Sequence, residues 1–587
     1  MSAQQPNTLT RPVAGFTLLI MTFLVGWLAI QTGPLIQYGQ INYVAGFFAF
    51  LTVVGTLKLI AALLVRMARF TEWLSTHRAS GRAGTADWAT WKDLKDVVNR
   101  KRTGPFWGLL AEGKVGRRGK PLFIDFESNA MCIAPAGSGK GIFTVITNLF
   151  SIRCSKVIAD FKGELACIMK AALEKRGEIV RILNPGGLWA DILGLGDFYN
   201  PLHIIADSLR RPGGLKDVFA DLRGLFTQIQ PDPAHGKGDE EYFKEGGRNL
   251  GGDCALCECM IEGHDATLGA VARTLQDREA TADLFRWVCG EDPDGNPDPR
   301  GPMPIEQSEW AQLHDPDDVA ALAAEIRARA KGHVALLRTM ESRTYDSFVT
   351  GINQALAPLA YGRIADAMSR STFSMDELKG ESPMNLFIVA DSSRMEAYAP
   401  YLGLMQWCAQ TAIKRHPNKE RKVVAMLDEC TNYKVHGLAD LMTWGRGYGL
   451  KLFLVCQDIS AFARVYGREA VETLLSETEI KLFLPGQRSP QTLELISKML
   501  GERGVMGAGL SRSKEGISAH MSETPRSLLK PDEIRRSPFG LLFARRKKPA
   551  LISPVSYAEI HPWRRQASVS PFHPKPFLKK VRLRLKR

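Results

Sequence analysis

A strand, a glycine-rich turn and a helix follow one another without a break between residues 130 and 150, and no other stretch constrains the fold as much. Ala130–Ala134 (AMCIA) is short and wholly apolar, the pattern of a buried strand. Pro135-Ala136-Gly137-Ser138-Gly139-Lys140-Gly141 comes next, and Ile142, Val145, Ile146 and Leu149 then recur at helical spacing. This is the setting a phosphate-binding loop needs. Backbone N–H groups cradle phosphates, the helix N-terminus adds positive potential, and Lys140 reaches the outer phosphates. Two positions depart from the generic pattern. Ala134 stands where the first glycine would be, and Gly141 stands where Ser or Thr would hold magnesium. A glycine-rich turn carrying one lysine is also an ordinary structural device, so the loop alone leaves both readings open.

A second site lies 288 residues downstream of Lys140. Val423–Leu427 (VVAML) is an apolar run that ends in Asp428-Glu429, a Walker B arrangement. Such a strand delivers two carboxylates to the carboxyl edge of a parallel sheet, where ligands bind. Asp428 is the candidate Mg2+ ligand, directly or through water, and Glu429 the group that orients and polarises an attacking water. The alternative is a plain acidic pair at a strand end. Lys156–Ala159 runs into Asp160, followed by Lys162, Gly163 and Glu164. Lys451–Cys456 runs into Gln457, which suits a γ-phosphate sensor or, equally, a turn contact. Arg446 sits between flanking glycines in Gly445-Arg446-Gly447-Tyr448-Gly449. A planar guanidinium there could stabilise transition-state charge on a neighbouring subunit's ATP, or could be a surface arginine.

Ahead of this lies an apolar N-terminus. Residues 13–30 carry no charge, and residues 43–65 carry only Lys58. Each is long enough to cross a hydrocarbon core of about 30 Å as a helix. Arg11 precedes the first stretch; Arg66, Arg69, Arg78 and Arg82 follow the second, while the intervening 31–42 has no charge. Positive charge on both flanks predicts both termini and the main body on the cytoplasmic side of the membrane. Lys58 reads as a snorkelling residue or as a helix–helix contact. A second span after the first argues against a cleaved signal peptide.

The net charge of +14 is uneven, with nine Lys or Arg and no Asp or Glu between Arg564 and Arg587. Without that tail the body is only mildly basic. The tail can attract nucleic acid, anionic lipid or an acidic partner. Val581–Arg587 alternates apolar and basic residues, so it reads either as a solvated tail or as a strand that pairs with a partner. Cys254, Cys257 and Cys259 cluster near His264, but no second pair stands at zinc-finger spacing, and a reduced cytosolic setting fits the ten cysteines.

The expected organisation is a transmembrane anchor over 1–70, with helices at about 13–31 and 43–66, and a linker over 71–120. A nucleotide-binding α/β domain covers 121–204 and 366–548, an inserted all-α domain 205–365, and a Pro-rich then basic tail 549–587. Strand and helix patterns alternate in the α/β parts. Helical spacing dominates the insertion, as in Val319–Arg329.

These residues resemble the type IV secretion coupling proteins, the conjugative TraG/TraD-type ATPases, over nearly the whole chain. The likeness rests on an ordered set. It comprises Gly84-Thr85-Ala86-Asp87-Trp88-Ala89, Pro135–Gly141, Asp160-Phe161-Lys162-Gly163-Glu164 and Asn200-Pro201-Leu202. Leu427-Asp428-Glu429, Gly445–Gly449, Gln457 and Ser527–Glu533 complete it. Glycine after the lysine is found in the TraG-like branch, whereas Cys430 and Ala134 depart from the pattern. The resemblance implies a RecA-like P-loop core with an inserted all-α domain, a hexameric ring and the bacterial inner membrane. ATP and Mg2+ would be held by the P-loop with Asp160 and Lys162, and Glu429, Gln457 and Arg446 would serve hydrolysis. Implied partners are secretion-channel proteins, a relaxase–DNA complex or effector proteins, DNA bound without sequence preference, and membrane lipid. Two other functions fit the same residues: a substrate-docking receptor with incidental ATP turnover, and an FtsK-like DNA translocase. The insertion and the Asp160–Glu164 signature speak against the second.

Overall fold

The structure, a computed structural model, describes residues 54–67, 83–112, 119–231, 239–339, 342–513, 516–573 and 581–585. In chain order the strands are β1 (Phe106–Leu110), β2 (Pro121–Phe123), β3 (Asn129–Ile133), β4 (Ser155–Asp160), β5 (Ile179–Leu183), β6 (Met384–Val389), β7 (Val423–Leu427), β8 (Leu450–Cys456) and β9 (Thr478–Phe483). They continue with β10 (Glu502–Ser513), β11 (Gly516–Ser527), β12 (Gly540–Ala544), β13 (Ala550–Ser553), β14 (Ile560–His561) and β15 (Leu583–Arg584).

The chain divides into two compact units. The larger comprises Asp87–Met499 and Leu529–Arg587. Its centre is an eleven-stranded sheet in the order β2-β1-β13-β12-β9-β3-β8-β7-β4-β6-β5. From β9 to β5 every neighbouring pair is parallel. From β2 to β9 every pair is antiparallel. The parallel strands β3, β4, β7 and β8 are buried along their whole length. Covered on both faces, they carry continuous apolar runs instead of an alternation. Two strands fall outside the domain expected from sequence. β1 lies in the presumed linker and β13 in the presumed tail, yet they pair with each other at Leu109–Ser553 and Leu110–Ile552 and extend the sheet.

Between β5 and β6 the described residues form helices and turns, with no strand. The longest helices are Asp239–Glu262, Pro316–Thr339 and Ser342–Ala360. Asp253 ties the first two together. Its nearly buried carboxylate accepts from Arg329 Nε at 2.9 Å and meets His333 Nε2 at 2.7 Å. Cys254, Cys257 and Cys259 are buried on that first helix.

The basic tail also differs from a solvated one. β15 pairs in parallel with β14 of the same chain, matching Ile560 with Leu583. Arg582 donates to Ser553 Oγ at 2.8 Å and to the Pro554 carbonyl at 3.1 Å.

The smaller unit comprises Met1–Ala86 and Leu500–Leu528. Its β10–β11 hairpin, read from sequence as part of the nucleotide-binding domain, is paired from Glu502–Ser527 to Ser513–Gly516. Gly84 and Ala86 lie against it: the Ala86 N–H donates to the Glu502 carbonyl at 2.9 Å and Gly504 N–H to Gly84 O at 3.1 Å. A Cβ on Gly84 would come within 2.3 Å of Glu502 O, so the close approach demands glycine. Residues 54–67 are helical. Leu57, Ile60, Leu63, Leu64 and Met67 are each more than half exposed on that helix. No helix among the described residues is long and apolar enough to cross a membrane. The expected span 13–31 and residues 43–53 of the other lie outside the described residues.

Candidate nucleotide site

The loop after β3 is fastened to the carboxyl edge of the sheet by the Ala134 N–H, which donates to the Cys456 carbonyl at 2.9 Å. Ser138 N–H closes the turn on Pro135 O at 3.0 Å. Gly137 and Gly139 both hold φ of +78°, a conformation that side chains disfavour. A Cβ on Gly139 would also stand 2.5 Å from the Phe143 ring. Past Lys140 the chain makes a wide π-turn over Gly141–Val145, in which Ile146 N–H reaches back to Gly141 O, before the regular helix Ile146–Ser151. The sequence predicted one uninterrupted helix here. A wide turn of this kind recurs at functional sites because it re-aims backbone groups.

Lys140 Nζ lies 2.7 Å from Glu429 Oε1 and 3.6 Å from Asp428 Oδ1. The structure thus brings the loop lysine and both downstream carboxylates into one pocket. Burial works to lower the Lys140 pKa, but Asp428 and Glu429 outweigh it and hold the ammonium above its usual range. Burial pushes the Asp428 carboxyl up to about 6, with Glu429 adding and Lys140 opposing. Glu429 sits at φ +46°, where a non-glycine residue is strained by about 1–3 kcal/mol. Asn432, which sequence reasoning missed, holds it there by donating to Glu429 Oε2 at 2.7 Å and to the Glu429 carbonyl at 2.8 Å. An Asn three residues after the acidic pair is the only signal the sequence offers.

Asp160 ends β4 beside β7. Its buried carboxylate accepts from Ala166 N–H at 2.9 Å and Lys162 N–H at 3.4 Å, capping the helix Glu164–Glu174. Burial raises it to about 7, and Asp428 adds to the shift. Lys162 is exposed on the following turn. A neighbouring strap covers that turn: Ser570 Oγ donates to Glu164 Oε1 at 2.5 Å, Phe572 packs edge-on to Trp189 at 5.3 Å, and Lys162 Nζ stands 5.7 Å from the Phe572 ring centre. Nothing in the sequence pairs these segments.

Gln457 follows the end of β8, one residue after the carbonyl that anchors the loop. Gln487 holds the opposite flank and was not singled out from sequence. Its Nε2 donates to the Ile133 and Leu484 carbonyls, both at 2.9 Å, while its Oε1 is buried without a partner. It follows β9 much as Gln457 follows β8. Arg446 is not in this pocket. It precedes β8, at the amino edge of the sheet, where it pairs with Glu127 and both side chains are over half exposed.

The residues fit a nucleotide with a divalent cation. Ser138 Oγ is buried without a partner beside the glycine cradle, and no atom stands within 4 Å of a Cβ built on Gly137 or Gly141. Pro135 and Ala136 shape the entrance to the turn, and Asp428 supplies an oxygen ligand suited to Mg2+.

Comparison with known proteins places the chain in a family. Residues 79–286 and 303–552 match the family model described as type IV secretory system conjugative DNA transfer. The chain is 24% identical over 527 residues to an Escherichia coli conjugal transfer protein TraG, covering 83% of this chain and 75% of that one. It is 23% identical over 461 residues to protein VirD4 of Agrobacterium fabrum, covering 77% of this chain and 62% of VirD4. Among solved structures, the bacterial conjugative coupling protein TrwBdeltaN70 in its unbound form superposes with a TM-score of 0.53 at 18% identity. That match covers 80% of this chain and 92% of the other. The plasmid coupling protein TrwB in complex with ADP and Mg2+ gives 0.52 at 18% identity, over 80% and 94%.

Proposed function

Starting from a chain that belongs to the type IV secretory system conjugative DNA transfer family, we propose that it is a membrane-anchored ATPase. It would couple substrate recruitment to a secretion channel and drive transfer of DNA, as nucleoprotein, or of effector proteins. The observation that carries this reading is the convergence of Lys140 with Asp428 and Glu429, 288 and 289 residues further along the chain, on one pocket. A receptor without turnover has no use for the paired carboxylates.

In the structure the Lys140 ammonium is held by Glu429. A γ-phosphate in the glycine cradle would draw Lys140 away and leave Glu429, still oriented by Asn432, to accept a proton from the attacking water. Asp428 would hold Mg2+, which neutralises phosphate charge when bound. Ser138 Oγ and the loop N–H groups would bind phosphate oxygens, Gln457 would position water, and Asp160 and Lys162 would order the adjoining turn. The exposed Arg446 would serve the site of the next protomer in a hexameric ring. The exposed leucines of the helix 54–67 support an anchor in the bacterial inner membrane, with the main body cytoplasmic. Secretion-channel proteins, relaxase–DNA or effectors, and DNA gripped through its backbone are the partners this role requires.

The deciding experiment measures ATP hydrolysis by the full chain in detergent, with and without single- and double-stranded DNA, alongside Lys140→Ala. Hydrolysis that the variant abolishes supports the reading. Equal rates in both, or normal transfer by the variant in cells, would refute it.

A further inference from the structure

At the amino edge of the sheet, on the far side from Lys140, lies a cleft of about 840 Å3. Five cations line it, Arg100, Lys101, Arg102, Arg153 and Arg176, and none of the lining residues is acidic. Arg153 precedes β4 and Arg176 precedes β5, while Arg100–Arg102 come from the segment before β1, which runs opposite to the parallel strands. The closing wall is the C-terminal segment: Trp563 and Gln566 on one side, and Leu585 beyond β15 on the other.

The charge in this cleft is not cancelled from within. Glu178 is the carboxylate behind it, and it is shared three ways. Arg176 Nη2 stands 2.6 Å from it, Lys156 Nζ 3.6 Å and Arg153 Nη1 3.9 Å. Arg102 donates to the carbonyl of Arg584 at 3.2 Å, a neutral acceptor that fixes its side chain without neutralising it. Arg100 and Lys101 are exposed and make no ion pair among the described residues. The cleft is also rigid. Phe150 and Trp563 stack at 5.7 Å beneath it, and β15 is zipped to β14.

A rigid, surplus-positive cleft is a site for phosphate. Its apolar residues decide between sources. Phe150 and Trp563 are 0% and 4% exposed, so neither offers a face for acyl chains or for stacked bases. What remains is charge with neutral donors from Thr103 and Gln566, the chemistry of backbone contact without base reading.

We propose that this cleft, walled by the chain's own C-terminal strand, grips the phosphate backbone of a nucleic acid at a place separate from the nucleotide pocket. The inference rests on the DNA-transfer reading and names a surface for it.

The test uses the full chain in phosphatidylcholine nanodiscs, with and without phosphatidylglycerol, and a labelled single strand and its duplex. Arg100→Ala/Lys101→Ala/Arg153→Ala is expected to weaken DNA binding about tenfold or more. It should also make the slope of log K against log salt shallower by about two, at roughly 0.7–0.9 for each phosphate no longer neutralised. DNA-free ATP hydrolysis should stay unchanged. Arg153→Glu, a single exposed change, gives the same direction and decides the matter if the triple variant does not fold. Unchanged DNA affinity and slope in the folded variants overturns the proposal. So does loss of a phosphatidylglycerol response alone, which would assign the cleft to lipid. If the wild type binds DNA through the cleft but hydrolyses no ATP, the motor reading fails and the cleft stands.

Discussion

Lys140 Nζ and Glu429 Oε1, 289 positions apart in the chain, stand 2.7 Å from each other. On the proposed function the lysine keeps the carboxylate occupied until phosphate competes for it. Removing the two ends therefore has different effects. Lys140→Ala strips the outer-phosphate ligand and leaves Asp428 and Glu429 facing each other uncompensated, so nucleotide affinity and hydrolysis both collapse. Glu429→Gln keeps the shape and the Asn432 contact but cannot accept a proton. It should retain nucleotide while kcat falls by about 10²–10⁴. Fluorescent-nucleotide binding and steady-state hydrolysis on both variants check this.

The loop glycines are unequal. Gly139 combines φ +78° with a Phe143 ring 2.5 Å from any added Cβ, so Gly139→Ala should lose nucleotide binding. Gly141 begins the π-turn and meets nothing within 4 Å, so Gly141→Ser should fold normally. Its hydroxyl stands where a magnesium ligand is usual, and the expected result is half-maximal hydrolysis at lower Mg2+. A magnesium titration of hydrolysis, with thermal melts as the folding control, reads both.

Asp160 gives the fold a pH signature. Burial raises its carboxyl to about 7 in the folded protein, against about 3.9 unfolded. The native state therefore binds the extra proton between those values. Stability from this group is greatest at low pH, declines as pH rises from about 4 to about 7, and is flat above. Asp160→Asn keeps an acceptor for the Ala166 N–H and cannot ionise. Melting temperatures taken from pH 5 to pH 8 should fall more steeply for the wild type than for the variant. Parallel curves would refute this assignment.

How far the sequence reveals all this depends on burial. Strands covered on both faces write themselves as apolar runs, which is why Val423–Leu427 is legible to the residue and Asn129–Ile133 to within one. Phe106–Leu110 is an equally buried apolar run, but it stands apart from the strand–helix alternation and so looks like linker, while the four residues of Ala550–Ser553 are too few to show a period. The alternation in Val581–Arg587 does announce a strand, but not that its partner is Ile560–His561 of the same chain. Within the site, residue types at strand ends are legible, whereas conformations and distant contacts are not. The positive φ of Glu429 arises from the turn around Asn432, and the strap over Lys162 depends on how the tail is routed.

That strap makes the last prediction. Ser568 N–H donates to the Ile168 carbonyl at 3.0 Å, Ser570 Oγ to Glu164 at 2.5 Å, and Phe572 packs between Trp189 and Lys162. Trp189 Nε1 in turn donates to the Lys162 carbonyl at 2.8 Å. The turn that carries Lys162 is therefore held from two sides. If Lys162 helps to hold nucleotide, loosening one side costs preorganisation and not chemistry. A cation–π contact of this exposure contributes about 0.5–1 kcal/mol, about two- to fivefold in an equilibrium constant. Phe572→Ala should raise KM for ATP by that factor with kcat unchanged, and Phe572→Tyr should restore it. A chain ending after Gln566 should show a larger rise in KM. If that truncated chain folds and binds ATP as the wild type does, the tail is packing alone.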